Sequence, residues 1–266
     1  MGRNEGREVV VILTVDVGNT EIACGLFDGE ALGSAWRVAT RSHRTADELA
    51  LELEGLLRLR GTSAGDVEGV AIGSVVPGVT GPIVGACKQL FGGEPIVVEA
   101  DSPLPVRLEV DAPATVGADR IVNTLAVFEG FARDAVVVDL GTATTFDCVT
   151  ADGAFIGGVI APGVQTAADA LLSRAARIAR FEGGAPERVI GTNTEACLQS
   201  GIYWSNVDAI DGMVDRIRAE WGVDDLLVVA TGGLATVFGP VCRTIQRVEP
   251  WLTLDGLRRA YAHLRG

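Results

Sequence analysis

The sequence contains almost no lysine. Of its 22 basic residues only Lys88 is a lysine, and because Gln89 follows it, the phosphate-binding pattern GxxxxGK(S/T) is absent. The Val-Ala-Ile-Lys strand of the protein kinases is absent as well. If this protein handles ATP, it therefore does so without a phosphate-binding lysine of either kind.

Positive charge as a whole is scarce. The 35 acidic residues outnumber the basic ones and give a net charge of −13. A nucleic-acid-binding protein needs a basic surface against phosphate, so the composition argues against that class. Anionic small ligands remain compatible with the sequence, because backbone N–H groups of loops bind phosphate without any net positive charge.

Cysteine and histidine are few and scattered. The five cysteines show no CxxC spacing, and an odd count with no signal peptide ahead of it predicts reduced thiols in a cytoplasmic protein. With only His43 and His263, a histidine-rich metal site is not expected. The longest uncharged run, residues 69–87, contains five glycines and two prolines, so we expect no membrane span.

What the sequence does contain is a regular alternation of strands and helices. At 266 residues, 48% hydrophobic and 21% charged, the chain is long enough for two ordinary domains or one large α/β unit. Thr45 and Glu48 have the capping-box spacing that starts a helix. The predicted strands cover residues 9–16, 21–27, 31–39, 69–76, 95–100, three runs between 135 and 161, and 226–233. The predicted helices cover 45–61, 80–91, 115–131, 164–179, 193–218 and 255–264.

Two stretches repeat the same pattern about half a chain apart. LTVDVGNTEIACGLFDG (13–29) and VVVDLGTATTFDCVTADG (136–153) each run from an apolar strand into Asp-apolar-Gly-polar, then into a second strand and an Asp-Gly turn. Two β-hairpin-first α/β domains of this kind form the duplicated ribonuclease H-like, actin-like ATPase arrangement, with a central nucleotide cleft. We therefore predict an N-terminal domain over residues 9–114 and a C-terminal domain over residues 115–266.

The first copy places a carboxylate at the end of an apolar strand. Gly18 permits a tight turn after Asp16, and the turn N–H groups, with Asn19 and Thr20, can hold phosphate oxygens. Asp16 could then hold Mg²⁺ through water. A plain hairpin turn capped by an Asx residue would explain the same residues. The second copy downstream favours phosphate binding.

The second copy offers Asp139 to a cation and hydroxyl groups to phosphate. Thr142, Thr144 and Thr145 surround the turn, and Asp147 lies at the spacing that puts it on one strand face with Thr145 and Asp139. Threonine is also simply a good strand former, which explains Thr144 and Thr145. It does not explain an aspartate at the end of a buried strand.

Three further stretches are less specific. GADR (117–120) opens a helix, where Asp119 in the first turn is favoured by the helix dipole and Arg120 could be its surface partner. GGVIAPG (157–163) and ATGG (230–233) are glycine-rich strand ends that allow a nucleotide to approach the backbone, although glycines also merely end strands. In IGTNTEA (190–196), Thr192 or Asn193 is predicted to cap the next helix.

Taken together, these blocks closely resemble the type III pantothenate kinases of the acetate-and-sugar-kinase/Hsp70/actin superfamily. The resemblance extends over nearly the whole chain through VDVGNT, SVVPGVT, GADRIVN, DLGTATTFDCV, GGVIAPG, GTNTEACLQSGI, TGGLA and LTLDGL. Such enzymes use ATP to phosphorylate pantothenate to 4'-phosphopantothenate, the first step of coenzyme A biosynthesis. The resemblance further implies a homodimer with the pantothenate pocket at or near the subunit interface.

The resemblance also implies individual roles. Asp119 would be the catalytic general base, and Asp139 would bind the monovalent cation, K⁺ or NH₄⁺. Asp16 would lie near Mg²⁺. The ATP-binding residues would be Asp16, Val17, Gly18, Asn19, Thr20, Glu21, Ile22, Ala23 and Thr142. The pantothenate-binding residues would be Gly117, Ala118, Asp119, Arg120 and Thr194.

One departure from the family pattern leaves alternatives open. Family members often have a tyrosine seven residues before the GADR glycine, where it lines the pantothenate site, and here that position is Val110. A kinase for another small alcohol is therefore one alternative. A regulatory paralogue that kept the fold and lost the reaction is another, although Asp16, Asp119 and Asp139 are all present.

Overall fold

The structure is a computed structural model that describes residues 11–174 and 184–265. It divides into two compact units. Within the described residues, the first unit comprises the chain up to Leu104, Ala114–Leu125 and the chain from Thr253 onward; the second comprises Pro105–Pro113 and Ala126–Leu252. The predicted start of the first strand at residues 9–10 and the predicted end of a helix at 175–179 lie outside the described residues.

The elements follow one another in the alternation that the sequence predicts. The strands are β1 (Val11–Val17), β2 (Glu21–Asp28), β3 (Ala31–Ala39), β4 (Val67–Ser74), β5 (Ile96–Val98), β6 (Arg107–Leu108), β7 (Ala135–Leu140), β8 (Ala143–Val149), β9 (Ala154–Pro162), β10 (Leu227–Thr231) and β11 (Arg247–Val248). The helices are α1 (Ala46–Leu59), α2 (Pro77–Phe91), α3 (Ala118–Phe131), α4 (Val164–Arg174), α5 (Thr194–Trp221), α6 (Ala235–Phe238) and α7 (Leu252–Arg265).

The two sheets have the same strand order. The sheet of the first unit runs β3-β2-β1-β4-β5, and that of the second runs β9-β8-β7-β10-β11 with β6 added beyond β9. In both, the first three strands are antiparallel and the next two are parallel to the central strand. The predicted duplication of a hairpin-first α/β domain is confirmed.

Apolar side chains on both faces of the central strands build the core of each unit. Leu13, Val15 and Val17 of β1 are fully buried in a cluster that α1 and α2 complete. Val136 and Val138 of β7 occupy the equivalent place in the second unit, where they belong to one cluster with Tyr203 of α5. Burial of such side chains stabilises a fold by about 1.5–3 kcal/mol each.

Helix boundaries differ from the predicted ones where proline or a tight turn intervenes. α3 begins at Ala118 and not at residue 115, because Pro113–Thr115 form a separate 3₁₀ turn. α2 begins earlier than predicted, at Pro77, since proline is well suited to the first position of a helix. The predicted capping box of α1 is confirmed by bonds between Thr45 and Glu48 in both directions.

Sequence patterning missed the two-residue strands β6 and β11, which are too short to show a period. β6 pairs with β9 and so belongs to the sheet of the second unit. The domain boundary after residue 114 stays a prediction. All five cysteines are free thiols. No helix in the ranges 11–174 and 184–265 is long and apolar enough to cross a membrane.

Candidate active site

Asp16 is the penultimate residue of β1, the central strand of its sheet. It pairs with Ala23 of β2 on one side and with Gly73 of β4 on the other. Its side chain is half-buried, whereas its neighbours Val15 and Val17 are fully buried. A carboxylate is therefore held at the carboxyl end of the central strand, which is where ligands bind in open α/β sheets.

The turn after β1 is fixed by a residue that sequence reasoning missed. Within the turn, the N–H of Gly18 donates to the carbonyl of Glu21 at 3.0 Å. Thr40, directly after β3, donates its N–H to the carbonyl of Thr20 at 2.8 Å. Its hydroxyl donates to the carbonyl of Gly18 at 2.7 Å. Two turn carbonyls are thus directed toward Thr40, and the turn is held in one conformation.

The predicted ATP-binding stretch contains side chains of two kinds. Asn19, Thr20 and Glu21 are exposed. Val17 and Ile22 are buried in the apolar cluster of their unit. A nucleotide at this turn would therefore meet the side chains of the exposed residues, but only the backbone at the two apolar positions.

The turn after β7 repeats this construction in the second unit. The N–H of Gly141 donates to the carbonyl of Ala143 at 3.0 Å. The hydroxyl of Thr166 in α4 donates to the carbonyl of Thr142 at 2.7 Å. A Cβ built on Gly163 would lie 2.5 Å from the carbonyl oxygen of Gly141, so α4 begins in direct contact with this turn. In each unit the residues after the third strand brace the first hairpin turn, and Thr142 itself is exposed.

Asp139 has the same place in β7 that Asp16 has in β1. It pairs with Thr145 of β8 and Thr231 of β10. Gly232 follows with a φ of +90°, and any Cβ there would overlap Oδ1 of Asp139. The position of this carboxylate therefore depends on a glycine in the ATGG stretch, a role that the sequence did not indicate.

The carboxylate of Asp147 lies on one strand face with Thr145, as their spacing predicts. The hydroxyl of Thr145 donates to Oδ2 of Asp147 at 3.4 Å. Because Thr145 is also the cross-strand partner of Asp139, the three side chains share a face of the sheet. Asp147 is completely buried, so its carboxylate is not exposed to solvent.

Asp119 lies in the first turn of α3, where the sequence predicts it. The N–H of Arg120 donates to its Oδ1 at 2.8 Å. Burial raises the pKa of the Asp119 carboxyl, and this effect exceeds the opposing ones of the Arg120 N–H and guanidinium charge. Asp119 is half-buried, so it is not a fully exposed charge at the helix start. A raised pKa brings a carboxylate nearer to the range in which it accepts protons efficiently.

The loop before α5 is folded tightly against the helix. Asn193 is the N-cap, because its side-chain oxygen accepts from the N–H of Ala196 at 2.9 Å; this decides between the two candidates for the cap. The hydroxyl of Ser200 donates to the carbonyl of Val189 at 2.6 Å and holds the loop to the second turn. Thr194, the first helical residue, is exposed.

The structure brings some of the predicted residues together within one unit. Asp16 and Asp119 both belong to the first unit, and Gly73 connects them: it pairs with Asp16, and a Cβ built on it would lie 3.6 Å from Cβ of Ala118. Asp139, Thr142 and Thr194 belong to the second unit. Asp139 and Thr142 belong to the hairpin of β7 and β8, whereas Thr194 belongs to α5.

Asp16 and Asp139 each provide a carboxylate, which is an oxygen donor of the kind that hard cations take. Asp16 offers one half-buried carboxylate beside an exposed turn, a donor set suited to Mg²⁺, which keeps several waters and takes its other oxygens from phosphates. Asp139 offers an oxygen held in place by glycine, and oxygen donors suit hard monovalent cations. In the described part of the chain, no group of three or more histidine, cysteine, aspartate or glutamate side chains could hold a metal ion.

Solved structures with this fold define the broad class. A protein from Campylobacter jejuni assigned to the Baf family of transcriptional activators matches with a TM-score of 0.58 at 15% identity, over 94% of this chain and 98% of that one. A ROK family glucokinase from Streptomyces griseus, in complex with glucose and AMPPNP, matches with a TM-score of 0.55 at 14% identity, over 93% and 97%. The fold is that of the actin-like ATPases and sugar kinases.

Sequence comparison identifies the family within that class. The family described as type III pantothenate kinase matches residues 12–216. The type III pantothenate kinase of Roseiflexus castenholzii is 45% identical over 251 residues, which cover 94% of this chain and 98% of the relative. The type III pantothenate kinase of Moorella thermoacetica is 44% identical over 253 residues, which cover 94% of this chain and 98% of that relative. The chain belongs to the type III pantothenate kinase family.

Proposed function

We propose that this protein transfers the γ-phosphoryl group of ATP to the primary hydroxyl of pantothenate, giving 4'-phosphopantothenate and ADP in the first step of coenzyme A biosynthesis. The observation that supports this best is Asp119: in a chain of this family, the predicted base lies half-buried at a helix start with a raised pKa. A carboxyl whose pKa is raised by burial at a helix start is typical of groups that transfer protons in catalysis.

Asp119 acts as the general base. It takes the proton of the pantothenate hydroxyl as the oxygen–phosphorus bond forms and the bond from the γ-phosphorus to the bridging oxygen of ADP breaks. Its Oδ1 already accepts from the Arg120 N–H, which fixes the direction of the carboxylate. Gly117, Ala118, Arg120 and Thr194 contact pantothenate, and because Gly117 has no side chain, the Asp119 carboxylate can lie against the helix start.

The two hairpin turns contact the phosphates of ATP. Residues Asp16 to Ala23 contribute backbone N–H groups and the exposed side chains of Asn19 and Thr20, and Thr142 contributes its hydroxyl. Since Thr40 fixes the first turn and Thr166 the second before ATP arrives, little conformational entropy is lost on binding.

Asp16 and Asp139 are the residues that would hold the two cations, which when bound would supply the positive charge that lysine supplies in other kinases. Asp16 would hold Mg²⁺ through water, and Asp139 would hold K⁺ or NH₄⁺. This assignment agrees with a chain in which only Lys88 is a lysine. Lys88 pairs with Glu94 on the surface.

We further propose a cytoplasmic homodimer. Val189 and Ile190, just ahead of the pantothenate-binding Thr194, are adjacent large apolar side chains that leave 66% and 80% of their surface exposed, and a second copy of the chain could cover them. A second copy that covered them would place the subunit interface beside the acceptor pocket, where the family resemblance puts it.

A coupled assay of ADP formation tests the proposal. Purified protein with ATP and Mg²⁺ should form ADP only when pantothenate is added, and faster with K⁺ or NH₄⁺ than with Na⁺ alone. A panel of other small alcohols tests the alternative that Val110 raises. Turnover on one of them without turnover on pantothenate would reject the proposed substrate.

A further inference from the structure

The C-terminal helix α7 packs on the first sheet at three glycines. A Cβ built on Gly25 of β2 would lie 3.1 Å from Leu254, and one built on Gly73 of β4 would lie 3.2 Å from Leu257. At Gly69 of β4, any Cβ would overlap the ring of Tyr261. Because these three strand positions have no side chain, α7 lies directly on the sheet backbone there.

The same helix also contacts α3 at its backbone. A Cβ built on Gly256 would overlap the carbonyl oxygen of Val122 and lie 2.6 Å from its carbonyl carbon. Val122 is completely buried and lies one turn after Asp119. The two helices therefore meet where Gly256 has no side chain, close to the predicted catalytic base.

Gly73 connects these contacts to Asp16. It is the β4 partner of Asp16, and a Cβ on it would lie between Leu257 of α7, at 3.2 Å, and Ala118 of α3, at 3.6 Å. Ala118 is the first residue of α3 and the neighbour of Asp119. Leu257 of α7 and the first residue of the helix that bears the base thus both lie against the strand position beside Asp16.

We propose that α7 is a positioning element for the reaction: Gly256 and Leu257 set the start of α3, and with it Asp119, at a fixed place relative to the end of β1. The inference rests on the proposed function.

Close packing is the physical reason. Leu257 is fully buried, and side chains in such a core cannot shift without moving their neighbours. A helix backbone in contact with another backbone has no flexible side chain that could absorb a change. Displacement of a catalytic group by about 1 Å can lower a rate by about 100-fold.

The test compares variants of α7 at positions near to and far from the start of α3. Gly256→Ala would push α7 away from Val122, and Leu257→Ala would remove the side chain that packs at Gly73, beside Ala118. Tyr261→Leu is the matched control, because it disturbs α7 over Gly69, about 13 Å farther along β4 at 3.3 Å per residue. Each variant is measured as the full-length protein for Tm, kcat and the KM of both substrates.

The proposal predicts that Gly256→Ala and Leu257→Ala lower kcat at least tenfold while each KM stays within about twofold. Tyr261→Leu should lower Tm yet keep kcat within about twofold. If Gly256→Ala does not fold, Leu257→Ala decides the outcome. The inference fails if wild-type enzyme turns over and kcat in Leu257→Ala equals that of Tyr261→Leu. An inactive wild type would instead overturn the proposed function.

Discussion

Oδ1 of Asp119 lies against the α-carbon of Gly117. A Cβ built on Gly117 would be 2.5 Å from that oxygen and 3.1 Å from Cγ1 of Val75. The carboxylate therefore occupies the space that any other residue at position 117 would need. Since the N–H of Arg120 holds the same oxygen from the other side, the glycine and the helix backbone together fix the proposed base.

We expect Gly117→Ala to reduce kcat at least tenfold, because the new methyl group would displace the Asp119 carboxylate from its position. Gly55→Ala is the control: Gly55 is an exposed glycine within α1, and a Cβ there meets nothing within 4 Å. This control should keep full activity and gain about 0.5–1 kcal/mol in stability. Equal kcat in the two variants would contradict the account.

Asp119→Asn should abolish activity and stabilise the protein at neutral pH. Burial raises the pKa of Asp119 in the folded state. The stability that this group contributes is therefore fully present below its unfolded pKa of about 3.9 and is lost as pH rises through the folded pKa. At pH 7 the ionised carboxylate destabilises the fold, and a neutral amide removes that cost.

Thermal unfolding of wild type and Asp119→Asn at several pH values checks this prediction. The variant should have the higher Tm at pH 7, and the difference should shrink as the pH falls toward about 4. A variant less stable than wild type at pH 7 would show that Asp119 is stabilised in its charged form, contrary to the effect of burial.

Thr40→Val should raise the KM for ATP. The substitution keeps the shape of the side chain but removes the hydroxyl that donates to the carbonyl of Gly18, leaving that carbonyl without its partner at a cost of about 1–3 kcal/mol. Thr40→Ser retains the hydroxyl and serves as the control. Steady-state kinetics with varied ATP should show a rise in KM of about tenfold for valine only. An unchanged KM would mean that the turn does not bind phosphate.

Gly232→Ala should increase the K⁺ concentration needed for half-maximal activity, because the methyl group would overlap Oδ1 of Asp139. Gly222→Ala is the control for the strain of a non-glycine residue at positive φ. Gly222 also has a positive φ, +72°, but a Cβ there meets nothing within 4 Å. Titration of activity with KCl at constant ionic strength compares the two. If both variants need the same K⁺ concentration, Asp139 does not bind the cation.

The sequence predicts the repeated hairpin well, for a physical reason. Alternation of apolar residues and an Asp-Gly turn are local signals, and each shows within fewer than about ten residues of sequence. Asp16 and Asp139 stand out because a carboxylate is uncommon at the end of an apolar strand. The capping box of α1 is likewise a local pair, Thr45 and Glu48, and the structure confirms it.

What the sequence does not show is which distant residue completes a local site. Thr40 is an ordinary threonine after β3 until the fold places it against the turn at Gly18. Gly256 and Val122 meet through tertiary packing, and no short-range pattern links them. The burial of Asp119 depends on the same packing, so its pKa direction could not be read from GADR.

The central claim is that Asp119 transfers the pantothenate proton during phosphorylation. The most direct test is the mass-spectrometric measurement of 4'-phosphopantothenate, alongside ADP, from wild type and Asp119→Asn with ATP, Mg²⁺ and K⁺. The account predicts equal amounts of the two products from wild type, and from folded Asp119→Asn a rate lower by at least about 100-fold. A wild type that forms no 4'-phosphopantothenate, or an Asp119→Asn variant that forms it at the wild-type rate, would contradict it.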